Sequence, residues 1–280
     1  MSVYLVVLFA AALHASWNAI VKGGTDKLLS TVLLTAWGAL LAVVLLPWLP
    51  QPAPSSWPYL AVSTVLQVAY FALVARVYHL ADMSQTYPIM RGTAPLLVAL
   101  VSVIWLDDHL PHGALLGIAL ICLGILCMAL ARHAGRRSAN HRRGLLLALL
   151  NAGVIAAYTL VDGLGVRRSG APAAYTLWLF LLTGVVMLGW VLLARRAAFK
   201  AYGRQYWRSG LFAAFGTLAS YGLALWAMTL APVAVIAALR ETSILFGVLI
   251  AGLFLKEKLS PARVLGAAII VAGAVVLRLA

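Results

Sequence analysis

The amino-acid sequence predicts an all-α membrane protein with ten transmembrane helices in two inverted five-helix repeats, and three observations carry that prediction. The 280-residue chain is 64% hydrophobic and only 10% charged, with a mean hydropathy of +1.00, whereas an ordinary soluble domain is about a quarter charged. Apolar runs of about 20 residues, each able to cross roughly 30 Å of hydrocarbon, recur along the whole length. A shift of 149 residues carries Arg91 onto Arg240, Leu106 onto Leu255, Leu110 onto Leu259, Gly117 onto Gly266 and Gly124 onto Gly273, as two copies of one unit would. So little chain is left outside the bilayer that a soluble catalytic domain is excluded.

In order, the ten spans are 2–22, 28–49, 58–78, 83–106, 112–132, 142–164, 171–194, 207–229, 232–255 and 260–279. The first has no basic segment before its apolar core, Lys22 following it instead, so it reads as a retained helix and not a cleaved signal. It carries a polar cluster at mid-depth, His14, Trp17 and Asn18. The second is almost purely aliphatic, and the proline-rich PWLPQPAPSSWP behind it places Trp48 and Trp57 as interfacial anchors without an assigned function. The third puts Gln67 and Tyr70 on one face. The fourth, SQTYPIMRGTAPLLVALVSVIWL, sets Arg91 between Pro88 and Pro95 with Tyr87 just before, and each proline removes a backbone donor and disturbs the helical ladder.

The fifth span holds Cys122 and Cys127, which point to different faces and read as packing residues. The basic segment 133–141 then joins a first repeat, 1–132, to a second, 142–280. The sixth span brings Asn151, Tyr158 and Asp162, the seventh Tyr175 and Trp178, the eighth Tyr221 and Trp226, and the ninth Arg240, Glu241 and Ser243. In the tenth, Gly266 and Gly273 echo Gly117 and Gly124 as close-packing positions, not ligands.

The net charge of +14 does not signal nucleic acid, because the basic residues sit in short connections between apolar runs. Connections after the odd-numbered spans hold sixteen Lys and Arg; the opposite side holds three, Arg167, Arg168 and Arg278. The positive-inside rule therefore puts the odd-numbered connections in the cytoplasm and both termini outside.

Each repeat closes on a phrase, WLDDHLPHGALLGIALICLGILCM and FLKEKLSPARVLGAAIIVAGAVVL, with an acid in its turn (Asp108, Glu257) and a Gly-x6-Gly spacing after it. Over essentially its whole length the chain thereby resembles the EamA-type proteins of the drug/metabolite transporter superfamily. The resemblance implies a multi-pass secondary transporter of the bacterial inner (cytoplasmic) membrane, in a superfamily that moves amino acids, sugars, nucleotide sugars, drugs and other metabolites. The N-terminus is also similar in spacing to the small multidrug resistance branch, Lys22 included. That branch's embedded glutamate is His14 here, which argues against export of hydrophobic cations by carboxylate–proton exchange. Many members are drawn with both termini in the cytoplasm, opposite to the charge count, so the orientation stays open.

An odd number of helices per repeat inverts the second copy, and transporters so built hold their substrate near the midplane. Arg91 and Arg240 lie roughly 12 Å into their spans. An arginine at that depth costs at least about 3 kcal/mol and marks a functional site by default, and two guanidinium forks there suit an anion. The candidate substrate-binding residues are Arg91, Arg240, His14, Trp17, Asn18, Tyr70, Tyr87, Tyr158, Tyr221 and Glu241. The aromatics would line a cavity, His14 would serve as a pocket wall or proton relay, and Glu241 would bind an ammonium group or a coupling proton. The competing reading makes both arginines structural, Arg240 paired with Asp162 or Glu241 and Arg91 with a carbonyl freed by Pro88.

The expected partners are a small-molecule metabolite, anionic or zwitterionic, the lipid bilayer and a coupling ion, the proton. Alternatives are a drug exporter of the same fold and a non-transporting structural or sensory membrane protein. An enzyme is not expected, since no nucleophile–base pair, His-x3-His or phosphate-binding glycine loop is present. Asp107, Asp108, His109 and His112 make at most a weak surface metal cluster, and no cofactor, metal or nucleic acid is expected.

Overall fold

Local signals set the helix starts. Asp26 closes the glycine turn after the first helix by accepting a hydrogen bond from Leu29 N–H at 3.1 Å, Pro172 opens the seventh span, and Ser260 with Pro261 opens the last. The computed structural model describes residues 2–80, 83–105, 109–130, 139–253 and 260–280. Its helices are α1 (Val3–Gly23), α2 (Lys27–Leu45), α3 (Trp57–Leu80), α4 (Met83–Trp105), α5 (His112–Leu130), α6 (Ala139–Ser169), α7 (Pro172–Ala194), α8 (Arg196–Met228), α9 (Val233–Arg240), α10 (Ser243–Leu253) and α11 (Pro261–Leu279), with no strand among the described residues. Seven stretches among them are long and apolar enough to cross a membrane; Val3–Asn18 and His112–Met128 are shorter apolar helices.

The main helix pairs are α1 on α8, α3 on α6, α2 on α7 and α5 on α11, while α4 lies against α5, α6 and α9. At the α5–α11 crossing a Cβ on Gly124 would stand 2.7 Å from Gly266 O, and one on Gly117 would stand 2.9 Å from Gly273 O. Backbones can approach that closely only without side chains. Outward-facing Leu100, Ile104, Leu123, Phe212, Phe215 and Val271 are all at least half exposed. That exposed apolar surface suits hydrocarbon on a bundle whose backbone polar groups are satisfied within its helices. The chain is an integral, multi-pass membrane protein.

Three expectations need correction. Whereas α4 stays helical through Pro88 and Pro95, held by α5, α6 and α9, the ninth span, read as continuous, divides at Glu241 and Thr242. There the backbone tightens to bonds three residues apart, Glu241 N to Ala238 O at 3.0 Å and Thr242 N to Leu239 O at 3.1 Å. The Thr242 hydroxyl also donates to Leu239 O at 2.6 Å, so a side chain competes for the carbonyls that would continue the helix. Helix α8 begins eleven residues before the expected 207, because Phe199, Tyr202 and Tyr206 form an apolar face that packs on Leu29, Leu33 and Met187, with Tyr202 and Ser30 hydroxyls 2.6 Å apart. Helix α6 starts at Ala139, inside the expected linker, and carries Arg167 and Arg168 in its last turn. Linker residues 133–138, Asp107, Asp108 and Glu257 lie outside the described residues.

Candidate functional site

A cavity of about 200 Å³ lies inside the bundle, walled by α1–α4 and α6–α9. It extends from Arg91 and Arg240, 7% and 8% exposed, to the exposed Lys27 at the start of α2. Nine of the ten candidate residues line it: His14, Trp17 and Asn18 from α1, Tyr70 from α3, Tyr87 and Arg91 from α4, Tyr158 from α6, Tyr221 from α8 and Arg240 from α9. Glu241 sits behind Arg91 and not on the wall. The aromatics interlock edge to face, His14 on Trp17 at 4.9 Å, Tyr70 on Tyr158 at 5.8 Å and Phe180 on Tyr221 at 6.1 Å between ring centroids, which fixes the wall.

Neither arginine pairs as the structural reading expected. Arg91 of α4 pairs with Glu241, just past the end of α9: its Nε donates to Oε2 at 2.8 Å, and Nη2 stands 2.8 Å from Oε1. The second approach is close enough for an ion pair but lacks hydrogen-bond alignment, since Nη2 has no hydrogen-bond partner among the described residues. Coulomb attraction does not need that alignment, so Arg91 is neutralised while one donor stays uncommitted. Arg240 forms no ion pair among the described residues; its guanidinium lies 4.8 Å from the centroid of the Tyr221 ring, a cation–π contact that holds it without cancelling its charge. Asp162, fully buried, instead accepts from Tyr221 Oη at 2.5 Å, Tyr175 Oη at 3.2 Å and Gln67 Nε2 at 3.4 Å.

Sequence reasoning passed over part of the wall. The aliphatic-looking α2 contributes Lys27, Thr31 and Thr35, spaced four apart on one face, and α7 and α8 contribute Phe180, Thr183 and Thr217. Trp17 Nε1, Thr183 Oγ1, Thr217 Oγ1 and Arg91 Nη2 are all buried on this wall without a hydrogen-bond partner among the described residues. Buried polar atoms are nearly always satisfied, so four on one cavity make a wall suited to water or to a polar occupant in its place.

Fold and site together define a class: a helical, multi-pass membrane protein with an internal cavity that is polar, aromatic and cationic. The EamA-like transporter family matches residues 1–130 and 142–279, and the chain belongs to that family. It is thereby a transporter of the drug/metabolite type. A protein of known crystal structure superposes with a TM-score of 0.80 over 100% of this chain and 99% of its own, at 17% identity; that likeness establishes the fold alone. No curated protein matches the sequence.

Proposed function

We propose that the protein is a secondary carrier of the bacterial inner membrane that moves a small anionic or zwitterionic metabolite by alternating access, binding it between two inverted five-helix repeats, 1–132 and 142–280. The observation that carries this reading is the Arg240 charge: a buried cation facing the cavity, held on a ring and not paired with an acid among the described residues. A carboxylate, phosphate or phosphonate between Arg240 and Arg91 Nη2 would satisfy both, with Trp17, Thr183 and Thr217 as further donors. A volume of about 200 Å³ is below the roughly 300–1,000 Å³ of drug-sized pockets, which favours a small metabolite over a drug. The ring faces of the wall are available to an ammonium group on a zwitterion.

The inverted repeat draws support from the helix pairs. Exchanging spans one to five with six to ten turns the α1–α8 pair into α6–α3 and returns α2–α7 and α5–α11 to themselves. The α5–α11 crossing is antiparallel, Gly117 meeting Gly273 and Gly124 meeting Gly266. The cavity mouth at Lys27 lies on the side of the odd-numbered connections, which charge counting places in the cytoplasm. In this reading the structure is the inward-open state.

The test is a thermal-shift screen of purified protein against L-glutamate, phosphonoacetate, inorganic phosphate and the lipophilic cation tetraphenylphosphonium, followed by ATP-free uptake of the best ligand into proteoliposomes. Arg240→Lys keeps the charge but loses the planar fork, so anion binding weakens, and Arg240→Gln weakens it further. Stabilisation by the cation alone, or full anion uptake by a folded Arg240→Gln protein, refutes the anion site.

A further inference from the structure

Asp162 has no part in the anion site, yet it is a wholly buried carboxylate at the heart of the bundle. Tyr221 of α8, Tyr175 of α7 and Gln67 of α3 donate to it, with the buried Ser63 hydroxyl of α3 also beside it; all are neutral groups, and no cation pairs with it among the described residues. Glu241, the other buried acid of the core, is neutralised by Arg91. The groups around Asp162 can be named by element. On α8 there is Tyr221, with Arg240 of α9 against the same ring; on α7 Tyr175, and beside it Tyr59 of α3; on α3 also Gln67; on α6 itself Tyr158, whose ring feels Asp162 together with Arg91 of α4, Arg240 and Glu241.

We propose that Asp162 is a proton-binding site joining the substrate cavity to the closed end of the bundle; its role in transport, though not the proton site itself, rests on the carrier reading above. An ionised carboxylate only accepts hydrogen bonds, so three donors suit it; once protonated it must donate one, and a hydroxyl must turn round or leave. The proton adds to one carboxylate oxygen and the group becomes neutral, with no other bond made or broken. The two hydroxyls lead in different directions. Tyr221 carries Arg240 and faces the cavity. Tyr175 packs against Gly165 and Tyr59, and the Tyr59 ring carries Arg168 at 4.9 Å.

That second end is shut by named contacts. Arg167 Nε donates to Met228 O at 2.7 Å and its Nη2 to Ala231 O at 2.8 Å, Ala53 N–H donates to Ser169 O at 2.9 Å, and Trp178 Nε1 donates to Gln51 Oε1 at 2.8 Å. A proton on Asp162 therefore acts on the residue under the cavity arginine and on the residue under the closed end at once. A buried charge held only by neutral dipoles is also the one a proton can remove at least cost, whereas protonating Glu241 would strand Arg91.

The test is infrared difference spectroscopy of the ligand-free protein in nanodiscs as pH is lowered from about 8 to about 5, the range in which a buried carboxyl commonly titrates. Wild type is expected to gain a protonated-carboxyl band that Asp162→Asn lacks and Glu241→Gln keeps. Tyr221→Phe, which leaves the acid in place, displaces the midpoint of that band and so assigns it even if Asp162→Asn does not fold. A band that survives in Asp162→Asn, that vanishes in Glu241→Gln, or that never forms in wild type overturns the proposal. None of these outcomes bears on the anion site, which the Arg240 variants test without reference to pH.

Discussion

Removing one half of the Arg91–Glu241 pair should unfold more of the protein than removing both. The two contacts of 2.8 Å lie where the side chains are 8% and 6% exposed, so neither charge has water to fall back on. Glu241→Gln leaves the guanidinium uncompensated, and breaking a buried pair in this way costs about 3–5 kcal/mol. For a chain of this size that corresponds to a fall in Tm on the order of 10 °C. Arg91→Met strands the carboxylate and acts in the same direction. The double variant Arg91→Met/Glu241→Met replaces both charges by flexible apolar chains and should recover most of the loss, since well-packed apolar replacements of buried pairs are often neutral. Thermal melting of all four proteins in one detergent, followed by tryptophan fluorescence, closes the cycle. Additive losses, with the double variant as weak as the two singles combined, would show that the pair is not coupled and that the cavity electrostatics are misread. A second readout has the opposite sign: Glu241→Gln frees the whole Arg91 fork, so anion affinity should rise while stability falls.

Three further outcomes are expected. Gly124→Leu and Gly266→Leu force a side chain into backbone 2.7 Å and 2.6 Å away, and each should lower melting by at least about 1–3 kcal/mol; Gly153→Ala, with nothing within 4 Å of the new atom, should leave melting unchanged or raise it slightly. A reporter active only in the cytoplasm should work when inserted at Arg137 and fail after Ala280, and the reverse result would mean that counting basic residues gave the wrong sidedness. Arg167→Gln loses its donors to Met228 O and Ala231 O, so hydrogen exchange at residues 228–233 should quicken without change in ligand binding at the cavity; unchanged exchange would show that those contacts do not hold the end closed.

What could be read in the sequence divides along physical lines. Membrane spans follow from apolar length, which the bilayer enforces, and part of the cavity lining showed through because His14, Asn18, Arg91 and Arg240 are residues that lipid does not tolerate. Thr31 and Thr35 were invisible for a related reason. Each bonds its hydroxyl to its own helix, Thr31 to Lys27 O at 2.9 Å and Thr35 to Val32 O at 3.1 Å, so each suits a lipid-facing position as well as a cavity wall. Phe180 has the same ambiguity between core and wall. The early start of α8 was hidden because hydropathy averages over a window, while Phe199, Tyr202 and Tyr206 are a stripe among charges. The division at Glu241 and Thr242 was signalled by the polar run RETS, where the Thr242 hydroxyl bonds back to Leu239 O.

On the proposed reading, the same residues explain how two copies of one unit would give an asymmetric site. Arg91 and Arg240 occupy equivalent places, but the residue after Arg91 is Gly92 and the residue after Arg240 is Glu241. A Cβ at Gly92 would already stand 3.2 Å from Leu126 and 3.3 Å from Ile125, so α5 leaves no room for an acid in the first copy. Glu241 instead reaches across to Arg91 and leaves Arg240 against the Tyr221 ring, whose hydroxyl is bonded to Asp162. An acid paired with Arg240 as well would have left the centre indifferent to anions; no acid at either arginine would have left two uncompensated buried cations, each costing at least about 3 kcal/mol. As it stands, no acid among the described residues lines the empty cavity, and the Arg240 charge it faces is tolerable while the mouth at Lys27 admits water and costly once the bundle closes. On the proposed reading, a bound anion removes that cost. The loaded carrier therefore closes more readily than the empty one, which is the bias that a carrier exchanging its substrate across a membrane requires.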